Sequence, residues 1–243
     1  MGIEKIVAEA LLAARLSGTP AEAEALPPVD YEQALGIQRI VQDRLGPVGG
    51  FKVARRPEGK PVIAPIPADA IQSGDPQRPV AVPVRDRLGI ELEIGFEVVA
   101  PPGADPMSEP ARVFRPCIAL ELVASRLRAR QEDALLKLAD MQMNHGLVRG
   151  AMLEGWDGRD FGTVEATLTC GGRMCLSGRA TVPGGSALRN LGLLCAHLGD
   201  HCGGLQPGQI VITGSISGLA YFPAGTDVTA EIAGLGRVGC KLV

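Results

Sequence analysis

Alternating glutamates in one apolar stretch are the first residues of this sequence that could carry out chemistry. The stretch 90–100 reads IELEIGFEVVA, in which Glu91, Glu93 and Glu97 alternate with apolar residues. A period of two is typical of a β-strand that has one apolar face and one acidic face. Neighbours on one face of a strand lie about 6.5–7 Å apart, and no lysine or arginine interrupts this acidic row. The acidic face therefore either contacts water or binds something positively charged.

A further glutamate, Glu121, favours the second possibility. It is the only charged residue in the stretch 117–125, CIALELVAS, and such continuous apolar character is typical of a strand buried on both faces. A buried carboxylate is costly unless it is paired, protonated or bound to a metal. Glu91, Glu93 and Glu121 could together provide the hard oxygen ligands that Mg²⁺ and Mn²⁺ prefer. The alternative is a hydrated acidic face together with an ordinary salt bridge between Glu121 and an arginine.

Two other segments contain groups that could act beside such a cluster. Lys52 lies in the strand pattern GGFKVA, where its ammonium could donate a proton or bind a substrate carboxylate, or its alkyl stem could simply pack on the strand. Gly214 and Ser215 follow the apolar strand pattern QIVIT. They could bring backbone N–H groups and a hydroxyl close to a ligand, or they could form only a tight turn.

The three histidines give weaker signals. His197 and His201, in CAHLGDHC, have a spacing that zinc sites use on helices. No second pair of ligands follows, so we do not expect a zinc site there. His145 could act as an acid or base, although a loop or core position is the commoner use of a single histidine. Neither segment therefore competes with the acidic strand as the candidate site.

Composition excludes several classes of protein. The formal net charge is −3 without a basic cluster, and aromatic residues make up 3% of the chain, which argues against nucleic-acid binding. No apolar run approaches the roughly 18–20 residues that span a bilayer. The start of the chain is an amphipathic helix rather than a signal peptide. We therefore expect a cytoplasmic protein with no membrane segment, whose six cysteines stay reduced.

The periodicity divides the chain into a helical part and a strand-rich part. Residues 1–47 show two helical stripes, the first with Ile3, Ile6, Val7 and Leu11 on one side, and the second capped by Asp30. Residues 48–243 contain mainly strands, with helices predicted at 131–143 and 186–198 and a long proline-rich loop at 55–80 that has room for one short strand. Segregated helices and strands indicate an α+β fold, with a helical N-terminal region at 1–47 and one domain at 48–243.

The order of these motifs resembles the fumarylacetoacetate hydrolase superfamily, and within it the branch of 2-keto-4-pentenoate hydratases and 4-oxalocrotonate decarboxylases. The motifs are GFKVA, IELEIGFEVV, CIALELVASR, VITGSISG and AEIAGLGRVGC, and the resemblance covers nearly the whole chain. It implies a mixed β-roll or barrel core with a small helical N-terminal region. Its predicted site residues are the metal ligands Glu91, Glu93 and Glu121 for Mg²⁺ or Mn²⁺, the catalytic Lys52, and the substrate-binding residues Gly214, Ser215 and Arg126.

The activity implied by the resemblance is that of a metal-dependent hydratase. Its substrate would be a small 2-hydroxy-dienoic or 2-oxo acid of the 2-hydroxypenta-2,4-dienoate type, with the metal as a Lewis acid that holds the enolate form. The alternatives are decarboxylation of a 2-oxo-enedioate, hydrolysis of a C–C bond in an acylpyruvate, or a non-catalytic partner subunit. The resemblance also implies a homo-oligomer, which in this branch can form a complex with another enzyme of the pathway.

Three departures from the family pattern leave the substrate and the reaction open. Ala124 replaces an aspartate that usually precedes the Ser-Arg pair, and Met141 and Met143 replace an asparagine and a serine. The loop 57–70 is rich in proline and apolar residues where a polar motif is usual. The predicted metal ligands are thus retained, whereas part of the surrounding polar shell is not.

Overall fold

The computed structural model describes residues 2–56, 59–128 and 133–243. The helices in this part of the chain are α1 Ile3–Ser17, α2 Tyr31–Leu45, α3 Pro110–Val113, α4 Ala134–Ala139 and α5 Ala187–Leu198. The strands are β1 Ala21–Glu22, β2 Val48–Ala54, β3 Val62–Pro67, β4 Ile71–Ser73, β5 Val80–Val82, β6 Arg87–Val98, β7 Phe114–Val123, β8 Leu127–Arg128, β9 Asn144–Met152, β10 Thr163–Cys170, β11 Arg173–Thr181, β12 Ile210–Ser215, β13 Ala220–Pro223, β14 Asp227–Ile232 and β15 Gly236–Leu242.

An eight-stranded mixed sheet positions the acidic residues. Its strand order is β3-β2-β12-β6-β7-β9-β4, and β13 pairs with the first residues of β6 beyond the end of β12. Strand β12 runs parallel to β2, and β4 runs parallel to β9, while the remaining pairs are antiparallel. The alternation predicted along β6 agrees with the structure, because Ile90, Leu92 and Ile94 are fully buried in the main core. The glutamates therefore lie on the opposite face of this strand.

The main core lies between this sheet and a second, five-stranded sheet of order β11-β10-β14-β15-β5. The apolar side chains of β6 pack there with Leu168, Ile232 and Val238 from the second sheet and with Leu191 from α5. This mixed sheet with few helices confirms the predicted α+β class with a β-roll core.

The first two helices pack against each other and against the edge of the larger sheet. Asp30 caps α2 in a capping box with Gln33, as predicted. Val7 and Leu11 of α1 are buried with Val62 of β3, and α4 belongs to the same apolar cluster. Ile3 and Ile6, which the predicted stripe included, are 38% and 37% exposed. No helix in the described residues is both long enough and apolar enough to span a membrane.

The prediction of a long proline-rich loop with one short strand at 55–80 was wrong. Within this segment the chain forms β3 and β4, and β5 begins at its last residue, while residues 57–58 lie outside the described part. Pro65 and Pro67 are tolerated in β3 because this strand lies at the end of the strand order, where no second neighbour needs the missing N–H group. All residues of β3 are buried, and the segment resembled a loop in the sequence because of its prolines.

The helix predicted at 131–143 is shorter than expected. Residues 131–132 lie outside the described part, and α4 covers only Ala134–Ala139. Met141, Gln142 and Met143 then have φ values of 50°, 49° and 62°. A left-handed backbone costs non-glycine residues about 1–2 kcal/mol each, and neither glycine nor asparagine marks this turn in the sequence.

Candidate metal centre

The antiparallel pairing of β6 and β7 brings the three predicted ligands together. Glu91 lies directly opposite Glu121, and Glu93 lies opposite Ala119, one step further along the same face. One carboxylate oxygen of each glutamate lies within 4.8 Å of the others. In the part of the chain that the structure describes, this is the only group of three or more histidine, cysteine, aspartate or glutamate side chains that converges in this way.

The acidic cluster is crowded and poorly hydrated. Glu93 is 2% exposed and Glu121 is fully buried, whereas Glu91 is half-buried. Burial, and then the charge of Glu121, raises the pKa of Glu93 well above its usual range. The same two causes raise the pKa of Glu91. The cluster therefore has a strong tendency to bind protons or a cation.

Lys52 supplies one positive charge to this cluster. Strand β2 places it beside Ile212 of β12, and its Nζ donates a hydrogen bond of 2.5 Å to Glu121 Oε1. A second, longer bond of 3.3 Å runs from Nζ to the backbone carbonyl of Gln142. Burial alone would lower the pKa of Lys52, but the charges of Glu121 and Glu93 outweigh it, so that this pKa is raised. Lys52 is therefore a charged ammonium within the site.

The polar atoms that remain without partners fit a bound divalent cation. Asn144 Nδ2 donates to Glu121 Oε1 at 2.8 Å, whereas Glu121 Oε2 is buried without a hydrogen-bond partner in the described residues. Buried polar atoms without partners are rare, and a carboxylate oxygen can be satisfied by a metal ion. Three carboxylates are also the hard donors that Mg²⁺ and Mn²⁺ prefer. The donor set and its unpaired oxygen thus fit such an ion.

The turn at the end of β12 holds one of the three glutamates. The pairing of β12 with β6 shifts between Ile212 and Ser215, and within this shift the N–H of Gly214 donates to Glu93 Oε2 at 2.6 Å. Gly214 has a φ of 108°, and a Cβ atom there would lie 3.0 Å from Cγ of Pro183. Ser215 lies opposite Glu93, and its buried hydroxyl has no well-formed hydrogen bond, although it is close enough to lower the pKa of Glu91.

Comparisons with known proteins place this site in a known fold. No protein-family model matches the sequence, and the search of curated proteins finds no match. Solved structures do match. A 4-oxalocrotonate decarboxylase from Pseudomonas putida G7, complexed with calcium and acetate, has a TM-score of 0.79 and 18% sequence identity over 98% of this chain and 96% of its own. The same enzyme complexed with magnesium and adipate matches equally well.

Two more distant structures extend the comparison. A fumarylpyruvate hydrolase from Pseudomonas aeruginosa, in complex with Mn²⁺ and pyruvate, has a TM-score of 0.57 and 15% identity over 78% of this chain and 80% of its own. A fumarylacetoacetate hydrolase family protein from Yersinia pestis CO92 has a TM-score of 0.58 and 16% identity over 82% of this chain and 93% of its own. The chain has the fumarylacetoacetate hydrolase fold.

In this fumarylacetoacetate hydrolase fold, Arg126 is occupied by contacts within the protein. It is 5% exposed, and its Nε donates to Asp140 Oδ1 at 2.5 Å. The remaining bonds of its guanidinium are to the carbonyl oxygens of Ala124, Asn144 and Asp140, at 2.6 to 2.7 Å. The guanidinium is thus largely satisfied without a ligand.

None of the histidines belongs to the acidic cluster among the described residues. His145, the second residue of β9, is exposed. His201 forms a hydrogen bond with Gln38 of α2. The side chains of CAHLGDHC are not part of a converging group of metal ligands among the described residues.

Sequence reasoning did not find two residues that contact the cluster. Asn144 donates to Glu121, and Gln142 accepts from Lys52 through its backbone carbonyl. Asn144 gave a weak signal, as a polar residue that begins a buried strand. Gln142 gave none, because its contact depends on the left-handed turn and not on its side chain.

Proposed function

We propose that this protein is a divalent-metal-dependent lyase that hydrates a small 2-hydroxy-dienoic acid of the 2-hydroxypenta-2,4-dienoate type. The observation that carries this proposal is the convergence of Glu91, Glu93 and Glu121 beside the buried ammonium of Lys52. The fold supports it, because structures with this fold include a decarboxylase with magnesium and a hydrolase with Mn²⁺ and pyruvate.

Mg²⁺ or Mn²⁺ would be held by Glu91, Glu93 and Glu121. When bound, the ion would supply Lewis-acid stabilisation of negative charge on the carboxylate and the neighbouring oxygen of the substrate. The protein holds two of these ligands in place by hydrogen bonds, from Gly214 to Glu93 and from Asn144 to Glu121. Such supporting bonds fix the orientation of metal ligands and raise affinity.

Lys52 is the group best placed to move a proton. Its Nζ carries three hydrogens, of which one is directed to Glu121 and one to the carbonyl of Gln142. The third is available to a substrate oxygen or carbon beside the cluster. Lys52 would thus donate a proton from Nζ to the substrate carbon as the dienol becomes the ketone, and Nζ would then take up the proton that leaves the enol hydroxyl. The ammonium would also offset the charge of the substrate carboxylate.

Two polar atoms next to the glutamates have no well-formed hydrogen bond among the described residues and could hold water. Asn144 Oδ1 belongs to the amide that donates to Glu121, and Ser215 Oγ belongs to the residue opposite Glu93. A reacting water molecule needs such groups to fix its orientation. These two atoms could therefore hold the water that adds to the conjugated double bond.

The direct test mixes the purified protein with Mg²⁺ and 2-hydroxypenta-2,4-dienoate and follows the absorbance of the dienol. We expect this absorbance to decay faster than in buffer, and the Glu121→Gln variant to lose the acceleration. Glu97→Gln is the matched control, because Glu97 lies on the same face of the same region of sheet but outside the cluster. Decay no faster than in buffer contradicts hydration of this substrate.

Decarboxylation of a 2-oxo-enedioate is the second candidate. It is favoured by the match over 98% of this chain to a 4-oxalocrotonate decarboxylase, against about 80% for the hydrolase. Product analysis separates the reactions, since decarboxylation releases CO₂, hydration gives one hydrated acid, and hydrolysis of an acylpyruvate gives two acids. Metal binding without turnover of any of these acids would instead support a non-catalytic partner subunit.

Homo-oligomerisation is also part of this proposal, and it rests on the family resemblance. Light scattering after gel filtration would measure the mass of the assembly against the 25.3 kDa chain. A mass equal to one chain at micromolar concentration would contradict it.

A further inference from the structure

We propose that Arg126 is a positioning residue that holds a left-handed turn and, through it, the geometry of Lys52 and Glu121. The turn consists of Met141, Gln142 and Met143, whose φ values lie between 49° and 62°. This inference rests on the proposed metal site but concerns residues that do not bind the metal themselves.

The backbone of the turn is unfavourable without outside support. Three consecutive non-glycine residues in the left-handed region are disfavoured, because each Cβ approaches the following carbonyl oxygen. Such backbones persist only where the surrounding structure fixes them, and they are found most often at functional sites. The cause of this conformation should therefore be visible in the contacts around the turn.

Arg126 contacts the residues on both sides of the turn. Nη2 donates to the carbonyl of Asp140 and Nη1 to the carbonyl of Asn144, both at 2.7 Å. The carboxylate of Asp140 accepts from Nε and also from the backbone N–H of Arg126, at 2.5 and 2.9 Å. The guanidinium thus joins the first and last residues around the turn, with Arg126 and Asp140 both at most 5% exposed.

Further bonds and one apolar anchor complete the support. The N–H of Ala124 donates to the carbonyl of Met143 at 3.0 Å. Met141 is 1% exposed and packs into the cluster formed with the N-terminal helices. Met141 and Met143 are thus each held by contacts with residues outside the acidic cluster.

The remaining contacts of the turn are directed at the metal centre. The carbonyl of Gln142 accepts from Lys52 Nζ at 3.3 Å, and Asn144 Nδ2 donates to Glu121 Oε1 at 2.8 Å. Lys52 and Glu121 are themselves joined by a bond of 2.5 Å. Displacement of the turn would therefore move one metal ligand and its cation together.

A pair of substitutions at one position tests the role of the backbone. Gln142→Gly and Gln142→Val both remove the side-chain amide, but glycine adopts a positive φ readily and the β-branched valine resists it. We expect Gln142→Gly to keep the wild-type Mn²⁺ affinity within about threefold, and Gln142→Val to lower it about 10- to 100-fold, the usual effect of losing support for a metal ligand. Equal affinities in the two variants would overturn the proposal.

A rescue experiment tests Arg126. We expect Arg126→Lys to lower Mn²⁺ affinity, because an ammonium cannot reach both flanking carbonyls as the planar guanidinium does. Adding Gln142→Gly should restore at least part of the lost affinity, since the turn then needs less support. Leu191→Ala, in the buried face of α5, is the control for a general loss of stability and should keep its Mn²⁺ affinity. No restoration in the double variant contradicts the mechanism.

Crystal structures of the metal-free Gln142 variants give a measurement that does not depend on metal binding. The Lys52 Nζ to residue-142 carbonyl distance should stay near 3.3 Å in Gln142→Gly, and the contact should be lost in Gln142→Val. If the wild type binds no Mn²⁺ but these structures behave as expected, the proposed function fails and the positioning role stands. If the contact persists in Gln142→Val, the positioning role is wrong.

Discussion

Replacing Glu93 by glutamine should stabilise the metal-free protein and at the same time abolish its metal binding. Glu93 is 2% exposed, and burial followed by the charge of Glu121 raises its pKa well above the usual range. The folded state therefore binds more protons than the unfolded state between the two pKa values. The contribution of this group to stability is complete below the unfolded pKa and is lost as the pH rises through the folded pKa. Because glutamine carries no charge, the Glu93→Gln variant does not lose this stability as the pH rises.

The size of the effect follows from the crowding of the carboxylates. At 4.8 Å, the upper limit of the distances between the three ligand oxygens, and an effective dielectric constant of about 20, two ionised carboxylates repel by about 3.5 kcal/mol. Glu93 has two such neighbours, Glu91 and Glu121, while Lys52 and the N–H of Gly214 offset part of the repulsion. We expect a net gain of about 2 kcal/mol, on the order of half of one pairwise repulsion. For a chain of this size, that corresponds to a melting temperature higher by about 4–8 °C.

The assay is thermal unfolding at pH 8 in the presence of a chelator, followed by titration with Mn²⁺. The wild type should gain about 2.7 kcal/mol when Mn²⁺ is present at 100 times its dissociation constant, and Glu93→Gln should gain nothing. Glu97→Gln is the control, because Glu97 is half-buried on the same face of β6 near Arg149 but lies outside the cluster. A Glu93→Gln variant that melts below the wild type, or that binds Mn²⁺ with wild-type affinity, would refute this reasoning.

Four further predictions follow from the structure. Lys52→Met should lower the free energy of unfolding of the metal-free protein by about 3–5 kcal/mol, measured in urea, because the fully buried Glu121 loses its cation. Mn²⁺ affinity should rise with pH up to the raised pKa of Glu93, because binding displaces a proton from that carboxyl. Calorimetry in two buffers of different ionisation enthalpy would measure the proton release. A binding heat that is the same in both buffers would contradict this prediction. Gly214→Ala should weaken Mn²⁺ binding and cost about 1–3 kcal/mol of stability, because φ at this position is 108° and the added Cβ meets Pro183. Denaturation with and without Mn²⁺ separates the loss of stability from the loss of metal binding. Asp30→Ala should cost about 0.5–2 kcal/mol while leaving Mn²⁺ affinity unchanged, because this cap lies in α2.

Local patterns in the sequence were sufficient to predict the acidic face. The period of two places Glu91 and Glu93 on one side of β6, and the apolar surroundings of Glu121 predict its burial. The meeting of these residues depends on the β6–β7 register, which pairs Glu91 with Glu121. A shift by one residue would have turned Glu121 to the other face. Local periodicity does not determine this pairing, so the sequence pattern left a hydrated face with an ordinary salt bridge as an alternative to the three-glutamate cluster.

The contacts that surround the cluster could not be predicted from local pattern. Arg126 is separated by 14 residues from Asp140 and by 18 from Asn144, and nothing in residue type indicates which arginine pairs with which carboxylate. The left-handed turn is a stronger example, since its residues are methionine and glutamine, which rarely adopt a positive φ. Its conformation is imposed by tertiary contacts, and tertiary contacts commonly override local preference.

The turn also gives a physical reason why Met141 and Met143 are compatible with a functional site. A polar side chain at either position would be one way to contact Lys52, but here the backbone carbonyl of Gln142 makes that contact. Met141 is then free to pack in the apolar cluster with the N-terminal helices, where it anchors the turn. Contact through the backbone depends on conformation and not on side-chain identity. The departure from the family pattern at these positions therefore need not remove the support for Lys52, provided that Arg126 holds the turn.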